Sequence, residues 1–378
     1  MPLVVFYQYL ILFIASLVTY RQYQIYKVGN FNPALVNKPS SSGFLPLLVL
    51  GLILMIGLRP MDNMGWQWVD SANYYHSYLL QEGVPFFWDF GSTDKIWDNL
   101  FRFWAAHRIG ISGLFLLGDA LYFGCTYLAC KKWFPHDTLA AYIVFLGAFS
   151  TYSYSFNGVR AGIAGAIFLW GLAYYEKKAL SIFLVLISWG FHHSMQLPVA
   201  AYVLTLFFKS PKWYFYGWAL CALMAVGHVS FFQNLFASMT DEQGQGYLDV
   251  NQIGDFGGTG GFRLDFLLYS AMPVWIGYKL VLKDKVKVSK SYLSLLSMYL
   301  CTNAVWMLCM YASYTNRIAY LSWFMYPFVL VYPFLKEDLR GALFLKGKSQ
   351  YRIFAKVMWY HLAFTLFMDL IFYKFIKG

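Results

Sequence analysis

Apolar runs of about the length of a bilayer crossing follow one another along nearly the whole chain. They fall near 3–20, 43–58, 109–130, 138–154, 161–175, 179–191, 195–208, 213–232, 264–282, 291–312, 318–335 and 353–373. A helical crossing takes about 20 mostly apolar residues, and inside lipid a helix satisfies all of its own backbone polar groups. The pattern therefore predicts an all-α, polytopic integral membrane protein with about 12 transmembrane helices. Charged residues make up only 12% of the 378, too few to cover a soluble protein, whose share is roughly 25%. The 21% of aromatic residues argues against disorder. Cys125, Cys130, Cys221, Cys301 and Cys309 all lie within apolar stretches, which predicts neither a disulfide nor a zinc site. Met1–Tyr20 lacks a basic start and a small-residue cleavage site, so no cleavable signal is expected. With no internal repeat and no segment able to form a soluble core, residues 1–378 read as a single membrane domain.

The net charge of +11 is a topology signal rather than a nucleic-acid footprint. With the amino terminus outside and the loops alternating, 20 of the 29 basic residues fall on the inner side. Among them are Lys131 and Lys132, Lys177 and Lys178, Lys209 and Lys212, and the lysines from Lys279 to Lys290. The other nine are Arg59, Lys95, Arg102, Arg108, Arg160, Arg263, Arg317, Lys374 and Lys377. Six of these are arginine, against three of the inner twenty. Orientation needs only charge, whereas a guanidinium grips phosphate or carboxylate through a planar fork. The outer set thus points to an anionic ligand.

Two outer segments are long. The first, about 59–108, mixes Asp62, Asp70, Glu82, Asp89, Asp94 and Asp98 with many aromatics. It reads as short amphipathic helices around 70–82 and 95–108 lying at the membrane surface. Aromatic faces beside carboxylates also suit sugar rings. The second, about 233–264, carries the glycine-rich runs Gly244–Gly246 and Gly254–Gly261 and reads as a strap, either a lid over an outward-facing site or a plain flexible loop. Its Gly-Gly-Thr-Gly-Gly run is no phosphate-binding loop, because no strand precedes it and no Lys-Ser/Thr follows.

The densest chemistry begins at Asn157-Gly158-Val159-Arg160, passes through a span to Lys177-Lys178, and returns to Phe191-His192-His193-Ser194. On this threading Arg160 and His192 share the outer level of a helical hairpin. One supplies a fixed cation and the other a group that exchanges protons near neutral pH.

This order resembles the Wzy/EpsG-type polysaccharide polymerases of bacterial membranes. Arg59 closes the second span, and Asp70 with Tyr74 and Tyr78 is similar to the family's early Asp-x-x-x-Tyr segment. Tyr314-Thr315-Asn316-Arg317 with Tyr320 is similar to its late Arg-and-Tyr helix start. The likeness covers about 45–335 and departs from the family pattern at Gly162 and in the aromatic first loop. It implies a GT-C-like membrane glycosyltransferase that polymerises repeat units on undecaprenyl diphosphate, making O-antigen, capsule or exopolysaccharide. The lipid-linked oligosaccharide would be both donor and acceptor, at the periplasmic or extracellular face of the bacterial cytoplasmic membrane. Membrane lipids, a chain-length regulator and a flippase would be further partners, and nucleic acid none.

On that resemblance Arg160 and Arg317 grip the donor diphosphate, with Arg59, Arg108 and Arg263 as candidates for the second lipid diphosphate. His192, with His193 behind it, is the acid–base candidate, and Asp70 is the competing base. Tyr74 or Tyr314 holds sugar hydroxyls. No cofactor and no metal is expected, since guanidiniums supply the charge and no Asp-x-Asp pair or ligand-spaced cluster is present. Three rivals share parts of this chemistry. A lipid-linked oligosaccharide flippase would show repeated halves or matched broken spans. A polysaccharide ligase shares the donor half. A membrane O-acyltransferase would need an inward-facing His. An intramembrane serine protease is disfavoured, because Ser194 lacks a Gly-x-Ser-x-Gly setting.

Overall fold

The computed structural model describes residues 3–27, 43–59, 69–229, 231–238, 261–336, 339 and 350–368. Among the described residues the apolar runs are mainly helical and no strand occurs. The chain divides into two compact units, Met1–Val199 and Ala200–Gly378.

The first unit contains α1 (Leu3–Lys27), α2 (Phe44–Gly57), α3 (Val69–Gln81), α4 (Lys95–Ala106), α5 (Ile111–Trp133), α6 (Thr138–Leu146), α7 (Phe149–Phe156), α8 (Val159–Ala173) and α9 (Lys178–Phe191). Its core is α5 against α8 and α8 against α9, with α2 on α5. Close approach sets these contacts. A Cβ on Gly57 would lie 2.8 Å from the Leu116 backbone, so only glycine lets α2 and α5 meet there. Tyr7 donates its hydroxyl to the Leu146 carbonyl at 2.7 Å, tying α1 to α6. The surface helices expected around 70–82 and 95–108 are α3 and α4, which pack on each other, with α4 also lying on α9.

Where a straight span was expected over 138–154, the chain instead forms α6 and α7 with a 71° bend between them. The backbone groups freed at the bend are recovered locally. The Phe145 carbonyl accepts from Ala148 N at 3.0 Å and from Thr151 Oγ1 at 2.6 Å. Such repair is what lets a helix break within apolar surroundings. A second break was expected at His192-His193, and it is present. His192 is extended (φ −153°, ψ 122°), and a 3-10 turn over His193–Met195 leads into α10 (Gln196–Phe207). Pro198 falls in the first turn of α10, where its missing N–H costs nothing.

The second unit holds α11 (Pro211–Val226), α12 (Phe231–Ser238), α13 (Leu264–Tyr278) with a π turn at Lys279–Lys283, α14 (Lys290–Leu308), α15 (Thr315–Trp323), α16 (Tyr326–Leu335) and α17 (Gln350–Leu366). Asn303 is its polar core. It accepts from Trp218 Nε1 at 2.8 Å and donates to Ser322 Oγ at 3.0 Å and Ser270 Oγ at 3.2 Å. Trp323 Nε1 also donates to Ser270, at 2.8 Å, which joins four helices through saturated hydrogen bonds.

Among the described residues Leu3–Arg21, Ile111–Trp133 and Thr315–Leu335 can each cross a membrane by length and composition, and the bent α6–α7 pair has the composition of either a broken span or a re-entrant loop. Phe44–Gly57, Val159–Ala173, Lys178–Phe191 and Ile353–Leu366 are shorter apolar helices. Most of the glycine-rich second loop, 239–260, lies outside the described residues, as do 60–68 and the lysines at 374 and 377.

Candidate active site

One buried carboxylate organises the site, and it belongs to Asp94. This residue sits at the N-cap of α4, where an Asp side chain ordinarily accepts from the helix's first free N–H groups. It makes no such bond here. Instead the side chain, 1% exposed, turns toward the C-terminal end of α9. Oδ1 accepts from His193 N and from His193 Nδ1, both at 2.7 Å. Oδ2 accepts from Arg160 Nη1 at 2.5 Å and from His192 Nδ1 at 3.2 Å.

Gly190 eases the approach. A Cβ there would lie 2.6 Å from Ile96 Cδ1, so a larger residue would have to push the Ile96 side chain aside where α4 rests on α9, two residues before His192. Arg160 is the second residue of α8, a position where the helix dipole disfavours a cation. Asp94 offsets that cost. Arg160 Nε donates to the Tyr74 hydroxyl at 3.0 Å, and the Tyr74 ring is held edge-on to Trp97 and Phe115.

These contacts fix the ionisation states. Burial alone would raise Asp94, but hydrogen bonds from His192 and His193, with the charge of Arg160, hold it far below the usual carboxylate range. Burial lowers His192 despite its contact with Asp94, which favours the neutral imidazole. Burial pushes the Tyr74 hydroxyl up to about 12 in spite of Arg160, so it stays protonated. Asp98, one turn into α4, is raised by its own burial and by the charge of Asp94. Ser194 Oγ is buried with no hydrogen-bond partner among the described residues.

Of the residues expected from sequence, Arg160, His192, His193 and Tyr74 come together, and Asp70 lies one turn before Tyr74 on α3. Arg108 lies past the other end of α4, exposed and left-handed (φ 54°), with its guanidinium over Gly83. The 12 residues of α4 separate it from Asp94 by about 18 Å. Arg59 is enclosed instead of facing a ligand. It donates to Asp119 at 3.0 Å, to Ser71 at 3.1 Å and to the Ser155 carbonyl at 2.8 Å, with its side chain at 0% exposure.

Arg317, Tyr314 and Arg263 belong to the second unit. Arg317 lies over the Tyr314 ring at the start of α15. Arg263 forms a two-point pair with Asp265 at 2.9 and 2.6 Å.

Sequence reading missed Asp94 as a site residue. It also missed that Asp94, His192 and His193 bring three metal-competent atoms within 4.8 Å of one another, although the carboxylate and the imidazoles are nearly a hundred residues apart. As arranged, the two Nδ1 atoms facing the carboxylate are its donors. A metal would have to displace those protons and sit beside the Arg160 guanidinium.

The fold and composition define a helical membrane protein whose first unit carries an Arg–Asp–His cluster around one buried carboxylate. A model described as the EpsG family matches residues 43–375, and the chain belongs to that family. Membership carries a polysaccharide-polymerase type of function, glycosyltransferase-like in kind. No curated protein and no solved structure matches the chain.

Proposed function

We propose that the protein polymerises undecaprenyl-diphosphate-linked oligosaccharide repeat units at the periplasmic or extracellular face of the bacterial cytoplasmic membrane, as a GT-C-like enzyme working without a metal. The observation that carries this reading is the convergence of Arg160, His192, His193 and Tyr74, at the end of the α8–α9 hairpin opposite Lys177 and Lys178. Chain transfer breaks the anomeric C–O bond and leaves charge on a lipid diphosphate. A preorganised guanidinium in a half-dry cleft stabilises that charge. Arg160 keeps donors to spare beyond those given to Asp94 and Tyr74. Tyr74, protonated and aimed by its aromatic neighbours, would hold a sugar hydroxyl. An imidazole accepts the acceptor's proton, and Asp70 is the competing base. Arg317 is retained as a diphosphate ligand on the sequence resemblance alone.

The test uses lipid-linked repeat unit extracted from the source strain after deletion of this gene, added without metal to the purified protein in nanodiscs. A ladder from wild type that is missing with Arg160→Ala supports the proposal. A single unextended band from wild type overturns it and favours a flippase or ligase.

A further inference from the structure

The Asp94 carboxylate is acceptor-only when ionised, so every atom that contacts it must donate. His193 Nδ1, at 2.7 Å from Oδ1, therefore carries its proton. In the neutral ring this leaves Nε2 as the basic atom. The same Oδ1 also accepts the His193 backbone N–H at 2.7 Å, so backbone and ring of one residue are held by one oxygen. His192 has the weaker hold. Its Nδ1 is shared between the two oxygens at 3.2 and 3.3 Å, and its side chain is 17% exposed against 42% for His193. The better-oriented and more accessible imidazole is that of His193.

We propose that Asp94 is a positioning residue for glycosyl transfer and that His193, not His192, is the base it positions. The inference rests on the polymerase reading above. In the step, the acceptor hydroxyl oxygen bonds to the anomeric carbon of the donor. The C–O bond to the diphosphate breaks, and its electron pair leaves with undecaprenyl diphosphate. The hydroxyl proton passes to Nε2 of His193, and the imidazolium so formed is stabilised by the Asp94 charge before it returns the proton to water. Asp94 bonds His193 directly and the His192 ring lies edge-on to it, while Arg160 holds the other carboxylate oxygen and is itself acted on by Tyr74 and Asp98. Arg160, held on the other carboxylate oxygen, is set at a fixed offset from the base by the same anchor.

The experiment measures kcat and KM in the nanodisc assay for wild type, Asp94→Asn, Asp94→Glu, His192→Ala, His193→Ala, His193→Gln and the Asp94→Asn/His193→Ala double variant. Each variant is checked for a single symmetric size-exclusion peak. Asp94→Asn and His193→Ala are each expected to lower kcat at least about hundredfold with KM within about threefold, which is the order expected when a positioned base is lost. The double variant should be no more than about threefold worse than either single, because both changes remove one function. Asp94→Glu should recover part of the loss, and His192→Ala should cost less than His193→Ala. If Asp94→Asn does not fold, His193→Gln carries the test, since its amide can still bond Asp94 yet takes no proton.

Wild-type kcat in Asp94→Asn or His193→Gln, or losses that multiply in the double variant, overturns the proposal. So does activity abolished by EDTA and restored by zinc or manganese, which would make Asp94 and the imidazoles metal ligands. A wild-type protein that yields no ladder sinks the polymerase reading instead, and so is told apart from a failure of this inference.

Discussion

Arg160 is the residue whose loss the site can least absorb. It bonds Tyr74 and Asp94, and in the proposed mechanism it meets the charge of the leaving diphosphate. Removing one preorganised donor of an oxyanion site costs about 3–4 kcal/mol, so Arg160→Ala should slow polymerisation at least about hundredfold by gel densitometry. Arg160→Lys should recover little of it, because an ammonium cannot reach both partners through one planar fork. Tyr74→Phe removes one hydrogen bond to a charged group and should cost about tenfold in rate, read in the same assay. Acid should also inactivate the enzyme by protonating the imidazole that takes the acceptor's proton, since Asp94 is held ionised far below the usual carboxylate range. A rate that holds unchanged until the pH reaches the carboxylate range would contradict the assignment.

At the scale of elements, two contacts hold the site's parts in place, one at the rim and one in the core. Gly190 eases the seating of α4 on α9, and with α4 comes Asp94. Gly190→Leu should lift α4 away and cut kcat at least tenfold while the protein stays folded, as followed by size exclusion and circular dichroism. The Arg59–Asp119 pair binds the end of α2 to α5, and through Ser71 and the Ser155 carbonyl it also binds α3 and α7. Removing one partner of a buried pair strands the other, at about 3–5 kcal/mol. Arg59→Ala should therefore lower thermal stability in detergent sharply. Arg59→Met with Asp119→Leu should regain most of it, because the stranded charge is gone.

For the whole molecule, the reading requires the two ends of the α8–α9 hairpin to lie on opposite sides of the membrane. The 14 residues of α9 span about 21 Å between Lys178 and the His192 end. A membrane-impermeant maleimide added to intact cells should label Phe90→Cys, an exposed position on the Asp94 side, and spare Lys178→Cys until the membrane is opened. The reverse pattern would place the site on the cytosolic side and end the proposed location.

Helix positions were readable because apolar runs must become helices in lipid, and α3 and α4 emerged where amphipathic spacing put them. The bend between α6 and α7 was not readable, since Gly147 and Ser/Thr residues are common in straight helices too. Arg160, His192 and His193 were legible because charge and imidazole beside apolar spans are costly unless used, and Tyr74 through the resemblance of its segment to the family pattern. Asp94 was hidden by its position. An Asp just before a helix reads as a cap, and only the fold reveals that its side chain leaves the cap for the imidazoles.

By itself, then, the sequence determined the all-helical membrane character, the basic-loop pattern and most of the residues around the cluster. Those follow from solvation and charge, which act locally along a chain. Only the tertiary structure decided that Asp94 anchors the cluster, that Arg59 is spent on Asp119, and that Arg108 stands a helix length from Asp94. These depend on which helices pack together and how closely, and side chains 60 to 99 positions apart meet only once that packing exists.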